Sequence, residues 1–390
     1  MHFHPKSIDA FHRRVKVGHM NGARAMVKWK QTWRNTMAKL FVLNLGSTSS
    51  KVAVFEDETM VQSTTLRHST EELKPFRDVL SQQEFRKTCV EEWMKKIGWE
   101  FEELDLLVVR GALMKPIEGG IYEVTDAVVR DAKDESFGSH ISTVGLLIGH
   151  RIAVEHRLPV IFLDAPVTDE LCDAARYSGL KGYDRRSVFH ALNSKQIARQ
   201  AAAFLGKPVT EVRFIVAHLG GGISVSAHDC GRVIDVNNAL DGEGPFSPER
   251  VGAIPAMEVL KLMEAYDDNR AMVKKMLVGL GGLNSYLGHG NVAQAMEDAK
   301  TNPEVKAVME AMAYQIAKEI GAMACVLKGK VDAVCFTGGI AYNQEFLGYI
   351  RKYTDWIAPV HIFPGEDELK AMALGGLRYL RGEETPKVYR

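Results

Sequence analysis

An α/β protein of two related halves, each built on a mixed sheet, is the fold this sequence predicts, on three observations. A turn rich in glycine and hydroxyl side chains joins two apolar strands at two places. The first copy is Phe41-Val42-Leu43-Asn44-Leu45-Gly46-Ser47-Thr48-Ser49-Ser50-Lys51-Val52, and the second is Phe214-Ile215-Val216-Ala217-His218-Leu219-Gly220-Gly221-Gly222-Ile223-Ser224. Each copy opens a strand triplet that gives way to alternating helices and strands, the pattern of an α/β layer structure. The chain of 390 residues is also long enough for two or three separate cores. Such a turn lets backbone N–H groups approach a ligand closely and suits phosphate oxygens, so its repetition suggests a duplicated nucleotide-handling fold.

In the first half, residues 41–46, 52–55 and 60–68 read as the triplet. Helical spacing follows over 76–102, then a short buried strand over 104–109 that ends at Arg110-Gly111. Residues 139–155 read as a helix and 159–163 as another buried strand, ending at Asp164. In the second half, 212–217, 223–227 and 232–237 form the triplet, with Asp229-Cys230-Gly231 as a turn. Asn302-Pro303 starts a helix, a side-chain cap followed by proline in the first turn. Its stripe of Val305, Val308, Met309, Met312, Ile316, Ile320 and Met323 reads as core. Residues 331–336 form a further buried strand ending at Thr337-Gly338-Gly339, with a helix expected over 340–350. Ligands are expected at strand ends, in the cleft between the halves.

Composition narrows the function. Hydrophobic residues make up 46% and charged residues 25%, and 49 Lys and Arg balance 49 Asp and Glu. That balance argues for neither a nucleic-acid nor a membrane partner. No apolar run reaches the length of a membrane span. Five scattered cysteines with no C-x-x-C pair point to a reducing cytoplasm and against zinc. Residues 1–36 are basic and acid-poor, as transit peptides are; the plainer expectation is a disordered tail, or a misassigned start ahead of Met37.

Polar groups gather at the predicted strand ends: Asn44, Lys51, Arg110, Asp164, His218 and Thr337-Gly338-Gly339. Loops and helix starts add His140, His190 and Arg250. Any one of these is commonly a turn, core or surface residue. Their shared placement at one edge is what points to a site. Lys51 is either a phosphate partner or an ordinary solvated charge. Residues 241–250 hold too much Gly and Pro for helix or strand, so they form a fixed loop of the kind that presents binding residues. There is no Walker A motif, no G-x-G-x-x-G, no G-x-S-x-G and no H-E-x-x-H, which disfavours P-loop kinases, Rossmann dehydrogenases, α/β-hydrolases and zincins.

From Lys39 to about Glu383 the chain resembles butyrate kinases, in the acetate, butyrate and propionate kinase branch of the sugar kinase and actin superfamily. The matching motifs are Asn44 to Lys51, Ala217 to Ser224, Asp235 to Arg250, Phe336 to Asn343 and Pro364-Gly365-Glu366-Asp367-Glu368-Leu369. Departures lie at Leu45, where butyrate kinases more often carry Pro, after His140, and at Ala112 and Met114. None removes a charged catalytic residue, and together they bear on the acyl pocket and so on the preferred chain length.

The resemblance implies a duplicated actin-like (ribonuclease H-like) two-domain fold with an interdomain nucleotide cleft. Its domains would be 37–185, with a C-terminal helix over 369–383 packing back on it, and 186–368. It implies transfer of phosphoryl between ATP and a short-chain carboxylate, with ADP, Mg²⁺, a cytoplasmic setting and a homodimer or higher homo-oligomer. Asn44 and one of Glu366, Asp367 and Glu368 resemble the magnesium positions. Arg110, Arg250, His190, Asp164 and His140 resemble the catalytic set. Ser47, Ser49 and Lys51 would face the transferred group, His218, Gly220, Gly221 and Gly222 the nucleotide phosphates, and Gly338, Gly339 and Asn343 the adenosine. A carboxylate is ionised at neutral pH, so this chemistry needs charge stabilisation and positioning rather than a general base. The alternatives are a nucleotide-regulated binding module without transfer, and a kinase or phosphatase acting on a different acid.

Overall fold

The computed structural model of the chain describes residues 37–134, 137, 138 and 140–390. The basic segment 1–36 lies outside them. Two mixed sheets carry the architecture. The first has β1 (Lys39–Gly46), β2 (Ser49–Glu56), β3 (Thr59–Arg67), β4 (Leu106–Val109), β5 (Ile121–Glu123) and β6 (Val160–Leu163), in the order β3-β2-β1-β4-β6-β5. The second has β7 (Arg213–Leu219), β8 (Ile223–Asp229), β9 (Arg232–Val236), β10 (Ala333–Gly338) and β11 (Val360–Pro364), in the order β11-β10-β7-β8-β9.

The sheets repeat one plan. An antiparallel triplet, β1-β2-β3 or β7-β8-β9, is extended on the other side of its first strand by parallel strands, β4 and β6 or β10 and β11. Phe41, Val42 and Leu43, like Phe214, Ile215 and Val216, are wholly buried, as central strands covered on both faces require. The Cys230-Gly231 turn has both residues at positive φ, which matches the twist of a two-residue hairpin.

The layer-forming helices are α1 (Gln83–Lys96), α2 (Ile141–His156), α3 (Ala191–Phe204), α4 (Pro303–Val326), α5 (Gln344–Thr354) and α6 (Glu368–Leu380). The first sheet packs α1 and α2 on one face and α6 on the other. The second packs α4 and α5 on one face and α3 on the other. On α4 the stripe Met309, Met312, Ile316, Ile320 and Met323 is buried. Helix α6 comes close because Gly376 faces the sheet; a Cβ there would lie 2.6 Å from Leu40 Cδ2 and 2.8 Å from Val108 Cγ2. Helices α3 and α6 also touch each other, so they form the layer between the sheets. Both begin beside the two turns.

The chain differs from its sequence reading at several element ends. α1 is shorter than the spacing over 76–102 suggested, because Asp78 and Ser81 cap each other in a turn before it. The expected helix over 340–350 is a single 3₁₀ turn (Gly339–Tyr342) followed by α5, whose start is set by Asn343 accepting from Phe346 N–H.

Candidate active site

Strand register brings the polar residues together. β1 leaves its sheet through Asn44-Leu45-Gly46 and β7 through His218-Leu219-Gly220. Alternation sends Leu45 and Leu219 into the cores, with Asn44 and His218 on the opposite face. Lys51 lies directly across from Asn44, and Ser224 directly across from His218, so each pair shares a face. β4, parallel to β1, ends one residue before Arg110.

The three acids near the start of α6 have separate jobs. Glu368 bridges two groups of the first half: its Oε2 accepts from Asn44 Nδ2 at 2.6 Å, and its Oε1 pairs with Arg110 Nη1. Asp367 caps α6, accepting from Lys370 N–H at 2.9 Å. Glu366 is held above the usual carboxylate range by burial and then by the neighbouring Glu368 charge, against the opposing pull of Arg110 and Lys51. A second cation would relieve that repulsion.

Two histidines stack across from this cluster. The rings of His190 and His218 lie 3.8 Å apart and 13° from parallel. His218 Nδ1 bonds Asn193 Oδ1 at 2.8 Å, which leaves Nε2 facing Glu366 at 3.9 Å, too far for a hydrogen bond. His190 Nδ1 bonds Ser224 Oγ at 3.0 Å, which frees its Nε2. Burial, followed by the Arg250 charge, brings His218 down to about 4. His190 falls well below its ordinary value through burial, then His218, Arg250 and Arg110. Both rings are therefore neutral at pH 7.

The arginines complete the cluster. Arg250 donates to the Ala239 carbonyl and runs past Gly222, where a Cβ would lie 2.5 Å from its Cζ. Arg110 Nε and Arg250 Nε are buried with no hydrogen-bond partner. His140 caps α2 at an exposed position: Nδ1 accepts from Ser142 N–H at 3.2 Å, which puts its ring proton on Nε2. Partial burial and then the Arg110 charge lower its pKa. A cavity of about 530 Å³ opens beside the second turn, between Gly220, Gly221 and Glu249 on one side and Gly339, Ile340 and Asn343 on the other. That is the size of a small-molecule site.

Residues 175–351 match the Acetokinase family model. That stretch is just under half of the chain and contains His190, the second turn and Arg250. Among solved structures, Porphyromonas gingivalis acetate kinase is similar at 18% identity and TM-score 0.73, over 88% of this chain and 99% of that one. A propionate kinase from Francisella tularensis subsp. tularensis is similar at 17% identity and TM-score 0.69, over 87% and 99%. Acetate kinase from Entamoeba histolytica is similar at 15% identity and TM-score 0.69, over 87% and 98%. The likeness shows the fold, the duplicated actin-like arrangement expected from the sequence.

Several expected site residues have hydrogen-bond partners within the fold. The Asp164 side chain is wholly buried, and its oxygens accept from Gly120 N–H and Arg199 Nη1, each at 2.8 Å. Burial works against its charge, but Arg199 and Lys195 outweigh that and its pKa is lowered. Through Arg199, Glu384 and Arg378 the end of β6 is tied to α3 and α6. Asn343 lines the cavity, and its side chain caps α5. Ser47 is exposed on the first turn and Ser49 half-buried. Sequence reasoning missed Asn291, Val292 and Ala293 on the cavity wall. The signal was there: Gly290-Asn291 before a short apolar helix, with Asn291 accepting from Gln294 N–H.

Among the described residues no group of three or more His, Cys, Asp or Glu is arranged to enclose a metal ion. Mg²⁺ carried in on phosphates needs only one or two protein oxygens, which Asn44 and Glu368 offer. No helix among the described residues is long and apolar enough to cross a membrane.

Proposed function

We propose that the protein is a reversible carboxylate kinase that moves the γ-phosphoryl group of ATP to a short-chain or branched-chain fatty acid, giving an acyl phosphate and ADP. The observation that carries this reading is the convergence of Arg110 and Arg250, each with a buried unpartnered Nε, on a pair of neutral stacked histidines between two glycine turns. A carboxylate oxygen attacks phosphorus and the bond to the ADP oxygen breaks, so no proton is taken from the nucleophile. The difficulty is the approach of one anion to another, and fixed positive charge with a hydrogen-bond donor meets it.

In this reading Arg110 neutralises the incoming carboxylate, and Arg250 with His190 Nε2 stabilises the equatorial phosphoryl oxygens. Lys51, Ser47 and Ser49 face the transferred group, and Gly220 to Gly222 with His218 hold the nucleotide phosphates. Asn44 and Glu368 would hold Mg²⁺, which would supply charge neutralisation on the phosphates. Asp164 acts as a positioning residue that fixes the α3–α6 layer. Domain closure over the cleft excludes water that would otherwise hydrolyse ATP.

Butyrate and isobutyrate are the first substrates to try, on the motif resemblance; the named acetate and propionate kinases favour shorter acids. ATP and Mg²⁺ are supplied with acetate, propionate, butyrate or isobutyrate, and acyl phosphate is trapped as the hydroxamate. Product from at least one acid is expected. No product from any of them refutes the proposal in favour of a binding module.

A further inference from the structure

Beneath the first turn lies a residue that the site chemistry does not use. Arg86, on α1, is wholly buried, yet no carboxylate is among its hydrogen-bond partners. Its Nη1 donates to the Gly46 carbonyl at 3.0 Å, the Ser49 carbonyl at 3.1 Å and Ser50 Oγ at 3.3 Å. Its Nη2 donates to the Ser47 carbonyl at 2.6 Å, and Nε to Gln82 Oε1 at 2.9 Å. The remaining carbonyl of the turn, Thr48, accepts from His68 N–H at 2.9 Å, and His68 Nε2 meets Ser50 Oγ at 2.9 Å. Every carbonyl from Gly46 to Ser49 is thus drawn towards the protein.

The consequence follows from peptide geometry. In a planar trans peptide the C=O and N–H point in opposite directions. Holding the carbonyls of Gly46 and Ser47 inward turns the N–H groups of Ser47 and Thr48 outward, beside their exposed side chains, while Ser49 closes the β1–β2 ladder opposite Gly46. It also removes carbonyl lone pairs from a surface that an anion is to approach. Burial brings Arg86 down to about 10, so it stays charged at neutral pH. A buried cation satisfied only by neutral acceptors lacks a counter-charge, and a phosphoryl oxyanion above the turn would supply one.

We propose that Arg86 is a positioning residue that fixes the first turn as an anion-facing surface for the transferred phosphoryl group, an inference that rests on the kinase reading of the site. A lysine could not replace it, because a point charge cannot span three carbonyls in a plane.

The test uses the full chain with Arg86→Ala and Arg86→Lys, read by hydrogen–deuterium exchange and by kinetics. In Arg86→Ala the segment 44–52 should exchange at least tenfold faster while the 218–224 turn is unchanged. Turnover should fall by about 10²-fold, the scale of a small misplacement of reacting groups. KM for the carboxylate should stay within a few-fold, and Arg86→Lys should recover only a small part of turnover. Should Arg86→Ala fail to fold, Arg86→Lys carries the same measurements. Unchanged exchange at 44–52, or equal acceleration across the whole first sheet, overturns the inference. So does full turnover in a folded variant of an active enzyme. If the wild-type chain makes no acyl phosphate, the kinase reading fails by itself, and the exchange result still decides the role of Arg86.

Discussion

Replacing Gly222 with alanine tests the site through a single methyl group. The new Cβ would lie 2.5 Å from Arg250 Cζ and 3.1 Å from its Nη2, where non-bonded carbon atoms rest at about 3.5–4.0 Å. Gly222 is not among the glycines at positive φ, so its backbone accepts alanine without strain. The clash falls on the far end of a flexible side chain, so the guanidinium should retreat by about 1 Å or more while the fold persists. Misplacing a charge-stabilising donor by that distance costs on the order of 10²-fold in turnover, about 2.7 kcal/mol. The assay is hydroxamate formation at saturating ATP and carboxylate, beside thermal unfolding, with Arg250→Ala as the floor. A melting temperature close to wild type with turnover near that floor is expected. Near-normal turnover in a folded Gly222→Ala enzyme would refute the placement of Arg250 at the reacting phosphoryl. A loss of activity that merely tracks a loss of stability would refute it equally.

Two further outcomes follow from buried groups. His218 and His228 are held at about 4 and about 3, mainly by burial, so an unfolded chain takes up protons that the folded chain refuses. Their contribution to stability is complete above about pH 6.5 and is lost as pH falls towards the folded values, at about 1.4 kcal/mol per pH unit for each. In denaturant titrations between pH 7 and 5, His228→Gln should flatten this slope by one such step, and an unchanged slope contradicts the assignment. Lys195 and Glu170 form a buried pair at 2.8 Å that also binds the Gly119 and Val233 N–H groups, joining the two halves. Lys195→Met should cost about 3–5 kcal/mol in urea unfolding by stranding the carboxylate, and Glu170→Gln in the same chain should recover part of it. A loss under about 1 kcal/mol in the single variant would show that the pair does not hold the halves together.

What was legible in the sequence was the strand ends. A central strand covered on both faces must be apolar almost throughout, so a polar residue two places before a glycine marks where the chain leaves the sheet. Asn44 and His218 were found that way, and Arg110 by the end of the next parallel strand. The edges were harder. β5 spans only Ile121–Glu123, too short for a strand pattern to show, and β11 reads Val-His-Ile-Phe-Pro with no residue fully buried, so neither reads as a core strand. Arg86 was invisible because an arginine beside a lysine on a helix reads as a solvated charge, and only packing against the first turn buries it.

Local chemistry thus determined the doubled turn, its strand triplets and the residue types facing the cleft, because these depend on neighbours a few positions away. The tertiary structure decided which partners those residues have. It set Glu368 between Asn44 and Arg110, stacked His190 on His218, laid Arg250 across Gly222 and placed Arg86 under the first turn. Each of these contacts joins segments far apart in the chain, and only the packing of α3 and α6 between two sheets brings them within reach.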